Sequence, residues 1–211
     1  MVLYAGKDIV SSEEELRSIL GSPSELVKNK VIHFLDDHCR DFISKSPLLL
    51  LSTSDRSGAC DVSPRGDAPG FVHILDEKHL VIPERPGNRR VDSLRNILSN
   101  PNAGLFFIIP GLEETLRING HAIIFRDQDI LKNMEANGKI PLLGICVTVQ
   151  ECFAHCAKAF KRSQLWNPAS WTDKADLPNI ARMLADHAKL PGMNTEKVKE
   201  LLEESYTKRL Y

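Results

Sequence analysis

The sequence predicts an α+β protein whose antiparallel strands close into a full or partial β-barrel. About six or seven short apolar runs are joined by tight turns, and single helices are inserted between them. The regular strand–helix alternation that a parallel doubly wound sheet requires does not occur. No internal repeat or low-complexity segment interrupts this pattern. Together these observations favour one barrel-type domain over residues 1–211.

Two helix-start signals open the chain. Ser12 precedes three glutamates and an apolar stripe, which predicts a short helix that ends at Gly21. The segment 22–25 is a second capping box, with proline at the first helical position. Its apolar stripe continues to Phe42, so we expect one long helix that closes at Pro47.

From residue 48 the apolar residues follow strand periodicity. The continuous apolar run 48–53 predicts a strand buried on both faces. A turn leads to a second strand at 59–63, and residues 64–70 are rich in proline and glycine, which predicts a loop. Residues 71–75 and 79–82 are predicted to pair as a second hairpin. Later strands are predicted at 103–109, 115–125 and 142–149.

A basic stretch follows the strand that ends at Pro83. Asn88 is predicted to cap a helix, which would place Arg89 and Arg90 in its first turn. Cations are unfavourable at that end of a helix, because its free amides already carry partial positive charge. Arginines beside free amides suit an anion, most simply a phosphate. The alternative is a solvated basic helix start beside acidic neighbours. The apolar stripe of this helix is Val91, Leu94, Ile97 and Leu98.

Helices follow the strands at the end of the chain. After a helix at 127–137, two more are predicted at 177–189 and 196–208, and their narrow apolar stripes suggest that they cap the barrel or a partner subunit. The predicted organisation is N-terminal helices over 1–46, a barrel core over 47–150 and a helical C-terminal region over 151–211.

Composition bounds the possible functions. The apolar content of 42% and charged content of 26% are ordinary for a soluble globular protein. A net charge of −1 gives no reason to expect nucleic acid or an anionic membrane as partner, whereas local basic clusters suit a small anionic ligand. No apolar run reaches the roughly 20 residues that cross a bilayer, and no signal peptide is recognised. Five scattered cysteines indicate reduced thiols, and we expect a cytoplasmic protein.

A metal centre and hydrolytic chemistry are not favoured. Cys152, His155 and Cys156 lie close together and could offer metal ligands, but no further ligands occur at a recognisable spacing. No Ser-His-Asp order or carboxylate pair stands out. We therefore predict no metal.

Four polar or cationic clusters lie at strand ends or helix starts. They are Ser63, Arg65 and Gly66; Asn88, Arg89 and Arg90; Thr115, Arg117 and Asn119; and Lys158, Arg162, Ser163 and Trp166. Arginine forks match phosphate oxygens, and a tryptophan offers a flat surface to a ring system. Taken singly, each cluster is also explained by surface charge.

Three of these clusters carry a resemblance to a known family. The ordered phrases are Ser63-Pro64-Arg65-Gly66-Asp67-x-Pro69-Gly70-Phe71-Val72, then Gly87-Asn88-Arg89-Arg90, then Leu116-Arg117-x-Asn119-Gly120-x-Ala122. They resemble the pyridoxamine 5′-phosphate oxidase-related flavin-binding proteins, over about residues 30–170. Residues 155–166 resemble a C-terminal signature of one branch of that group. The resemblance implies an FMN-binding split β-barrel with inserted and terminal helices, and a homodimer that holds FMN at the subunit interface.

The resemblance also implies roles for particular residues. The stretch 87–90 matches the basic segment that holds the FMN phosphate. Thr115 and Arg117 match a strand that contacts the cofactor from the facing subunit. The remaining residues expected to bind the cofactor are Ser63, Arg65, Gly70, Phe71, Val72, Lys158, Arg162, Ser163 and Trp166. The vitamin-binding tail of the pyridoxamine oxidases is not recognised in residues 207–211, so vitamin B6 oxidation is not implied.

The leading hypothesis is an FMN-dependent oxidoreductase that acts on an unidentified small substrate. A cation such as Arg117 or Lys158 near the flavin would stabilise its anionic reduced form, and no side chain stands out as acid or base. The alternative is a flavin-binding protein without turnover, which serves storage, sensing or electron relay. A third possibility is a member of the same barrel group that handles haem or deazaflavin.

Overall fold

The computed structural model describes residues 9–211, and the chain divides into two compact units, 1–31 and 32–211. The first contains α1 (Glu13–Leu20) and α2 (Glu25–Asn29). The hydroxyls of Ser12 and Ser24 accept the backbone N–H groups of Glu15 and Val27. The predicted start of the first helix at Ser12 is confirmed. The second helix was expected to start with Pro23 in its first turn, but Ser24 caps it and it begins at Glu25, so Pro23 lies outside the helix. Whether residues 1–211 act as a single domain stays a prediction.

The prediction of one long second helix is wrong. α2 ends at Asn29, and a separate helix α3 (Asp37–Lys45) starts after Asp36, whose carboxylate caps the N–H of Cys39 at 2.8 Å. Between the two helices, Ile32 exchanges two backbone hydrogen bonds with Cys152, at 3.0 and 2.7 Å. This sheet-like pairing replaces helical bonding, so the helix cannot continue through it.

The second unit is built on one antiparallel sheet, in the order β2-β1-β5-β6-β7-β4-β3. The strands are β1 (Leu48–Ser54), β2 (Cys60–Gly66), β3 (His73–Ile74), β4 (His79–Pro83), β5 (Asn102–Ile108), β6 (Thr115–Phe125) and β7 (Gly144–His155). Helix α4 (Asp92–Ser99) is inserted between β4 and β5, and α5 (Gln128–Leu131) with a 3-10 turn lies between β6 and β7. The predicted α+β fold with an antiparallel split barrel is confirmed.

Two strand predictions need correction. β1 was expected to be buried on both faces, but Leu49 and Leu51 are fully buried while Ser52 is exposed. This alternation is typical of an antiparallel strand with one face on the core. β2 runs through Pro64 to Gly66, where a loop was expected. β2 lies at the edge of the sheet, and an edge strand tolerates a proline because one of its sides makes no ladder bonds.

The two longest strands, β6 and β7, pair along their length, and a β-bulge interrupts the pairing. Asn119 pairs with Glu151 but Gly120 pairs with Val149, so Gln150 is an extra residue on β7. A Cβ atom on Gly120 would lie 2.2 Å from the carbonyl oxygen of Thr148, so only glycine fits this backbone approach. β7 also extends to His155, beyond the predicted end at residue 149, because β6 pairs with it along its whole length.

The core lies between the inner face of the sheet and the helices that cover it. Its largest fully buried side chains include Phe107, Leu105 and Ile118 from the sheet and Ile43 from α3. α4 contributes Leu94 and Ile97, whereas Val91 and Leu98 are exposed, so its buried stripe is narrower than predicted.

The C-terminal region contains α6 (Lys158–Ser163), α7 (Ile180–Ala188) and α8 (Thr195–Lys208). α7 and α8 contact each other and match the two predicted helices. The predicted helix at 127–137 is shorter, since α5 passes into a 3-10 turn that ends at Met134. Over residues 9–211, no helix has the length and apolar character needed to cross a membrane.

Candidate functional site

A cavity of about 610 Å³ lies where the ends of β2 and β4 meet the loop before α4. Its volume is in the range of cavities that hold small molecules and cofactors. The side chains that line it are mainly cationic or polar: Ser63, Arg65, Asp67, Phe71, Glu84, Arg85, Asn88, Arg89, Arg90 and Tyr211. The structure thus brings together two of the four predicted clusters, one from β2 and one from the basic stretch. We call this the cationic cavity.

The loop that carries the paired arginines differs from the predicted helix start. α4 begins at Asp92, and Asn88 does not cap it; instead the Asn88 side chain accepts the backbone N–H of Arg90 at 3.0 Å. Arg89 and Val91 have φ values of +61° and +53°, with Arg90 between them. For a β-branched residue this conformation is strained. Loops whose φ alternates in sign turn successive N–H groups toward one concave side, which is a geometry that binds anions.

The two arginines of this loop differ in their partners. Arg90 donates from Nε to Asp92 at 2.8 Å, and this hydrogen bond, with the charge of Asp92, raises the pKa of Arg90. Arg89 has no carboxylate within ion-pair distance in the part of the chain that the structure describes. Arg89 therefore brings to the cationic cavity a positive charge that forms no ion pair with the carboxylates of residues 9–211.

A partly buried ion pair forms another wall of the cationic cavity. Arg65 Nε lies 3.4 Å from Glu84 Oε2, and the two side chains are 17% and 24% exposed. Burial raises the pKa of Glu84, and the charge of Arg65 opposes that rise. Among the described residues, neither atom has a hydrogen-bond partner of good geometry. A buried arginine donor without an acceptor is a position that an anionic ligand would satisfy.

A hydrogen-bonded triad of Asp67, Arg85 and Tyr211 also lines the cationic cavity. Asp67, whose side chain is 5% exposed, accepts from Arg85 Nε and from the Tyr211 hydroxyl, each at 2.7 Å. The Arg85 guanidinium also lies over the Tyr211 ring, and Lys139 donates to the Tyr211 backbone carbonyl. Burial opposes ionisation of Asp67, but the Tyr211 hydroxyl, the Ala68 N–H and Arg85 outweigh it and lower the pKa of Asp67.

Replacing Asp67 by asparagine is expected to lower the free energy of unfolding by about 1–3 kcal/mol at neutral pH, since two hydrogen bonds to a charged acceptor are weakened. Because the pKa of Asp67 is lowered by folding, its contribution is present above the unfolded pKa of about 3.9 and is lost as pH falls below it. Denaturant titrations of the wild type and the Asp67→Asn variant between pH 7 and 2.5 measure this contribution. The difference in free energy of unfolding between the two proteins should vanish in acid. A difference that does not change with pH would contradict the lowered pKa of Asp67. Asp129→Asn, at an exposed side chain, is the control.

Arg85, Glu84, Asp67 and Tyr211 were not among the predicted site residues. The basic run from Arg85 to Arg95 was a usable signal for Arg85. The position of Tyr211 had no such signal, because only the fold brings it from the far end of the sequence to β2.

Other predicted site residues lie elsewhere in the fold. Gly70, at φ +82°, packs against the backbone of Ser44, and Val72 is buried in the core. Thr115 is fully buried at the start of β6, and its hydroxyl has no hydrogen-bond partner among residues 9–211. Arg117 is exposed on β6, with its guanidinium 5.5 Å from the ring centre of Phe153.

Arg117 belongs to a second cavity of about 610 Å³, on the outer face of the sheet. We call this surface the outer sheet face; its lining includes Ser52, Cys60, Val62, Gly104, Phe106, Arg117, Asn119 and His155. Val62 is 62% exposed there, and nearby on β6 Ile123 is 61% exposed. Exposed apolar side chains that lie on one face of a protein often mark a surface that contacts another protein chain. The outer sheet face is therefore a candidate interface.

The C-terminal signature forms a third location. Lys158, Arg162 and Ser163 lie on α6, and Trp166 follows it and donates from its indole to the Leu112 carbonyl at 2.9 Å. Trp166 lines a shallow cavity with residues 111–114, outside the cationic cavity. Within one chain, the predicted site residues therefore divide among the cationic cavity, the outer sheet face and the α6 region, whereas Gly70, Val72 and Thr115 line none of these cavities.

The antiparallel sheet and its inserted helices define a split-barrel protein of the α+β class. The model of the pyridoxamine 5′-phosphate oxidase family matches residues 35–156, more than half of the sequence. The chain belongs to this family, as its sequence phrases predicted.

Several solved structures are similar in fold. HupZ from Group A Streptococcus shares 17% identity over 56% of this chain and 92% of its own, with a TM-score of 0.46. A pyridoxamine 5′-phosphate oxidase-like protein from Lactobacillus delbrueckii shares 21% identity over 58% and 95% of the two chains, with a TM-score of 0.46. The haem storage protein HutZ from Vibrio cholerae shares 16% identity over 57% and 93%, with a TM-score of 0.42. No curated protein matched the sequence.

Proposed function

We propose that the chain binds FMN with its phosphate in the cationic cavity, and that it acts as an FMN-dependent oxidoreductase on a small substrate. The observation that carries the proposal is the convergence of four arginines, Arg65, Arg85, Arg89 and Arg90, on one cavity. Membership of the pyridoxamine 5′-phosphate oxidase family supports a flavin as the ligand.

The cavity residues fit a phosphate monoester. Among residues 9–211, Arg89 supplies a positive charge without a carboxylate partner, and Arg65 supplies a buried Nε–H that lacks a hydrogen-bond acceptor. Charge-assisted bonds from arginine forks are the strong contacts to phosphate. Phe71 adds an apolar wall at the cavity's edge. FAD is less well matched, because the sequence has no Gly-x-Gly-x-x-Gly turn for a pyrophosphate.

When bound, FMN would supply the electron-transfer chemistry, and the chain would anchor and orient it. The phosphate contacts would fix one end of the cofactor. Arg117 is the chain's candidate cation near the flavin ring, where it would favour the anionic reduced form. Arg117 lines the outer sheet face of its own chain, so we propose that it reaches the cofactor of the partner in a homodimer.

A non-catalytic flavin-binding role is the second candidate. It is favoured by the carboxylates that line the cationic cavity: Asp67 is held by Arg85 and Asp92 by Arg90, while Glu84 faces Arg65. None of the three is free to move a proton without breaking an ion pair. Steady-state consumption of NADH or NADPH in the presence of an electron acceptor separates the candidates. Turnover supports the oxidoreductase, and bound flavin without turnover supports storage, sensing or electron relay.

For either role we propose a cytoplasmic location, because the described cysteines are all free thiols.

The protein is expected to purify yellow, with FMN as the released flavin. The visible spectrum and the mass of the molecule released by denaturation test this. A haem or a deazaflavin would be distinguished by the same two measurements. A colourless protein that also fails to bind added FMN in a fluorescence titration would reject the proposal.

The chain is also expected to form a homodimer through the outer sheet face. Val62→Lys would place a charge on that face and should shift the dimer to monomer in light scattering at micromolar concentration. Met183→Lys, on the exposed side of α7, is the matched control and should leave the dimer intact. A wild-type monomer with cofactor bound would contradict this interface.

A further inference from the structure

We propose that Cys39 and Cys152 are a disulfide-forming pair, through which peroxide covalently joins α3 to β7. The two Sγ atoms lie 3.1 Å apart, in contact as free thiols. Cys39 is 6% exposed and Cys152 is fully buried, so both lie in the core. A disulfide bond is about 2.05 Å long, so the sulfurs must approach by only about 1 Å.

The backbones on both sides of this contact are already fixed near each other. Cys152 exchanges its two backbone hydrogen bonds with Ile32, which lies shortly before α3. The N–H of Cys39 is held by the carboxylate of Asp36, at the start of α3. The sulfur contact therefore joins two anchored segments, and the crosslink would connect them where they already meet.

The surroundings of Cys39 and Cys152 favour the reduced, neutral thiol form of the pair. The Sγ contact with Cys39, then burial, raises the pKa of Cys152, and the charge of Asp36 adds to this. A neutral buried thiol reacts slowly with oxidants. We therefore expect the pair to stay reduced under ordinary conditions and to form the bond under sustained exposure to peroxide.

The chemistry balances with hydrogen peroxide as the oxidant. Cys39, the less buried thiol, attacks one peroxide oxygen; the O–O bond breaks, and a sulfenic acid and one water form. The Cys152 thiol then attacks the sulfenic sulfur, the S–S bond forms, and the hydroxyl leaves as a second water with the remaining thiol proton. The two thiols lose two electrons, and the peroxide gains them.

The crosslink would constrain a segment that leads to the cationic cavity, because Pro47, which follows α3 and its C-cap Ser46, lines that cavity. At the far end of α3, the carbonyl of Ser46 accepts the N–H of Gly70, and Ser46 Oγ donates to the carbonyl of Ile108 on β5. The bond would also close a loop of 113 residues in the unfolded chain, which is the main source of disulfide stabilisation in the chain-entropy model. We expect oxidation to raise the Tm by roughly 5–10 °C, reversibly with a thiol reductant.

The test uses the full chain carrying Cys60→Ser and Cys156→Ser, so that the exposed thiols cannot react. After exposure to hydrogen peroxide and digestion without reductant, mass spectrometry should find a Cys39–Cys152 crosslinked peptide, with a whole-chain mass loss of about 2 Da. Adding Cys146→Ala to this background, at a partly buried cysteine, is the control and should leave the crosslink unchanged. Adding Cys39→Ala should abolish both the crosslink and the rise in Tm. A gain of oxygen at either cysteine without a crosslink, or pairing with Cys146, would overturn the proposal, and neither result depends on whether FMN binds.

Discussion

Replacing both Arg89 and Arg90 by alanine is expected to weaken FMN binding at least ~100-fold. Each charge-assisted contact to a phosphate contributes about 1.5–3 kcal/mol, and 100-fold corresponds to about 2.7 kcal/mol, which allows for non-additivity. Arg90 is already paired with Asp92, so the single Arg89→Ala variant should carry the larger share. The fold should survive, because both side chains are exposed and precede α4.

Titrations with FMN and with riboflavin locate this effect. Riboflavin lacks the phosphate, so wild type and the double variant should bind it about equally. A matched control is Arg182→Ala with Lys199→Ala, which removes two exposed cations from α7 and α8. Unchanged FMN affinity in the Arg89/Arg90 variant would mean that the phosphate binds outside the cationic cavity.

Replacing Gly120 by alanine is expected to lower the free energy of unfolding by roughly 2–4 kcal/mol, or to prevent folding. The added Cβ would lie 2.2 Å from the Thr148 carbonyl oxygen and 3.1 Å from its carbon, so backbone rather than a flexible side chain must move. Overpacking of this kind costs about 1–3 kcal/mol and occasionally more. For a chain of this size the Tm should fall by roughly 5–15 °C in thermal melts.

Gly104→Ala is the matched control for Gly120→Ala. Gly104 is also a strand glycine, on β5, but its added Cβ would meet only side-chain atoms at 3.6 and 3.7 Å. Its stability should change by less than about 1 kcal/mol. Equal effects at the two positions would show that the bulge does not require glycine.

Most of the fold followed from local patterns in the sequence. The helix cap at Ser12 and the long strand β6 are local features, and the structure has them where the sequence indicated. The start of α2 lies two residues later than the sequence indicated, at the next serine, Ser24. The break between α2 and α3 was missed because its cause is a pairing between Ile32 and Cys152, which lie far apart in the chain. An apolar stripe indicates which side chains are buried. It does not indicate which distant segment forms backbone hydrogen bonds with the same residues.

In the candidate site, too, residues with a local sequence signal were predicted, and residues placed by distant contacts were missed. Asn88, Arg89 and Arg90 were predicted from composition and order to bind an anion, and the structure places all three in the lining of one cavity, although their backbone is a strained loop and not a helical turn. Positive φ at Val91 has no signal in a sequence, since β-branched residues rarely adopt it. Tyr211 was missed because its partner Asp67 lies 144 residues earlier in the chain.

The strand order has a consequence for how the chain reaches its native state. β1 pairs with β5, and β4 pairs with β7. Each pair joins strands that are far apart in the sequence, since β4 ends at Pro83 and β7 begins at Gly144. Proteins dominated by such distant pairings fold in milliseconds to seconds, because the entropy of loop closure is lost before the contacts form. During synthesis, the β1–β2 hairpin and β4 are complete long before their partners leave the ribosome. Until β7 arrives, the apolar edge of β4 is open to other chains, so this interval is when the protein is most exposed to aggregation.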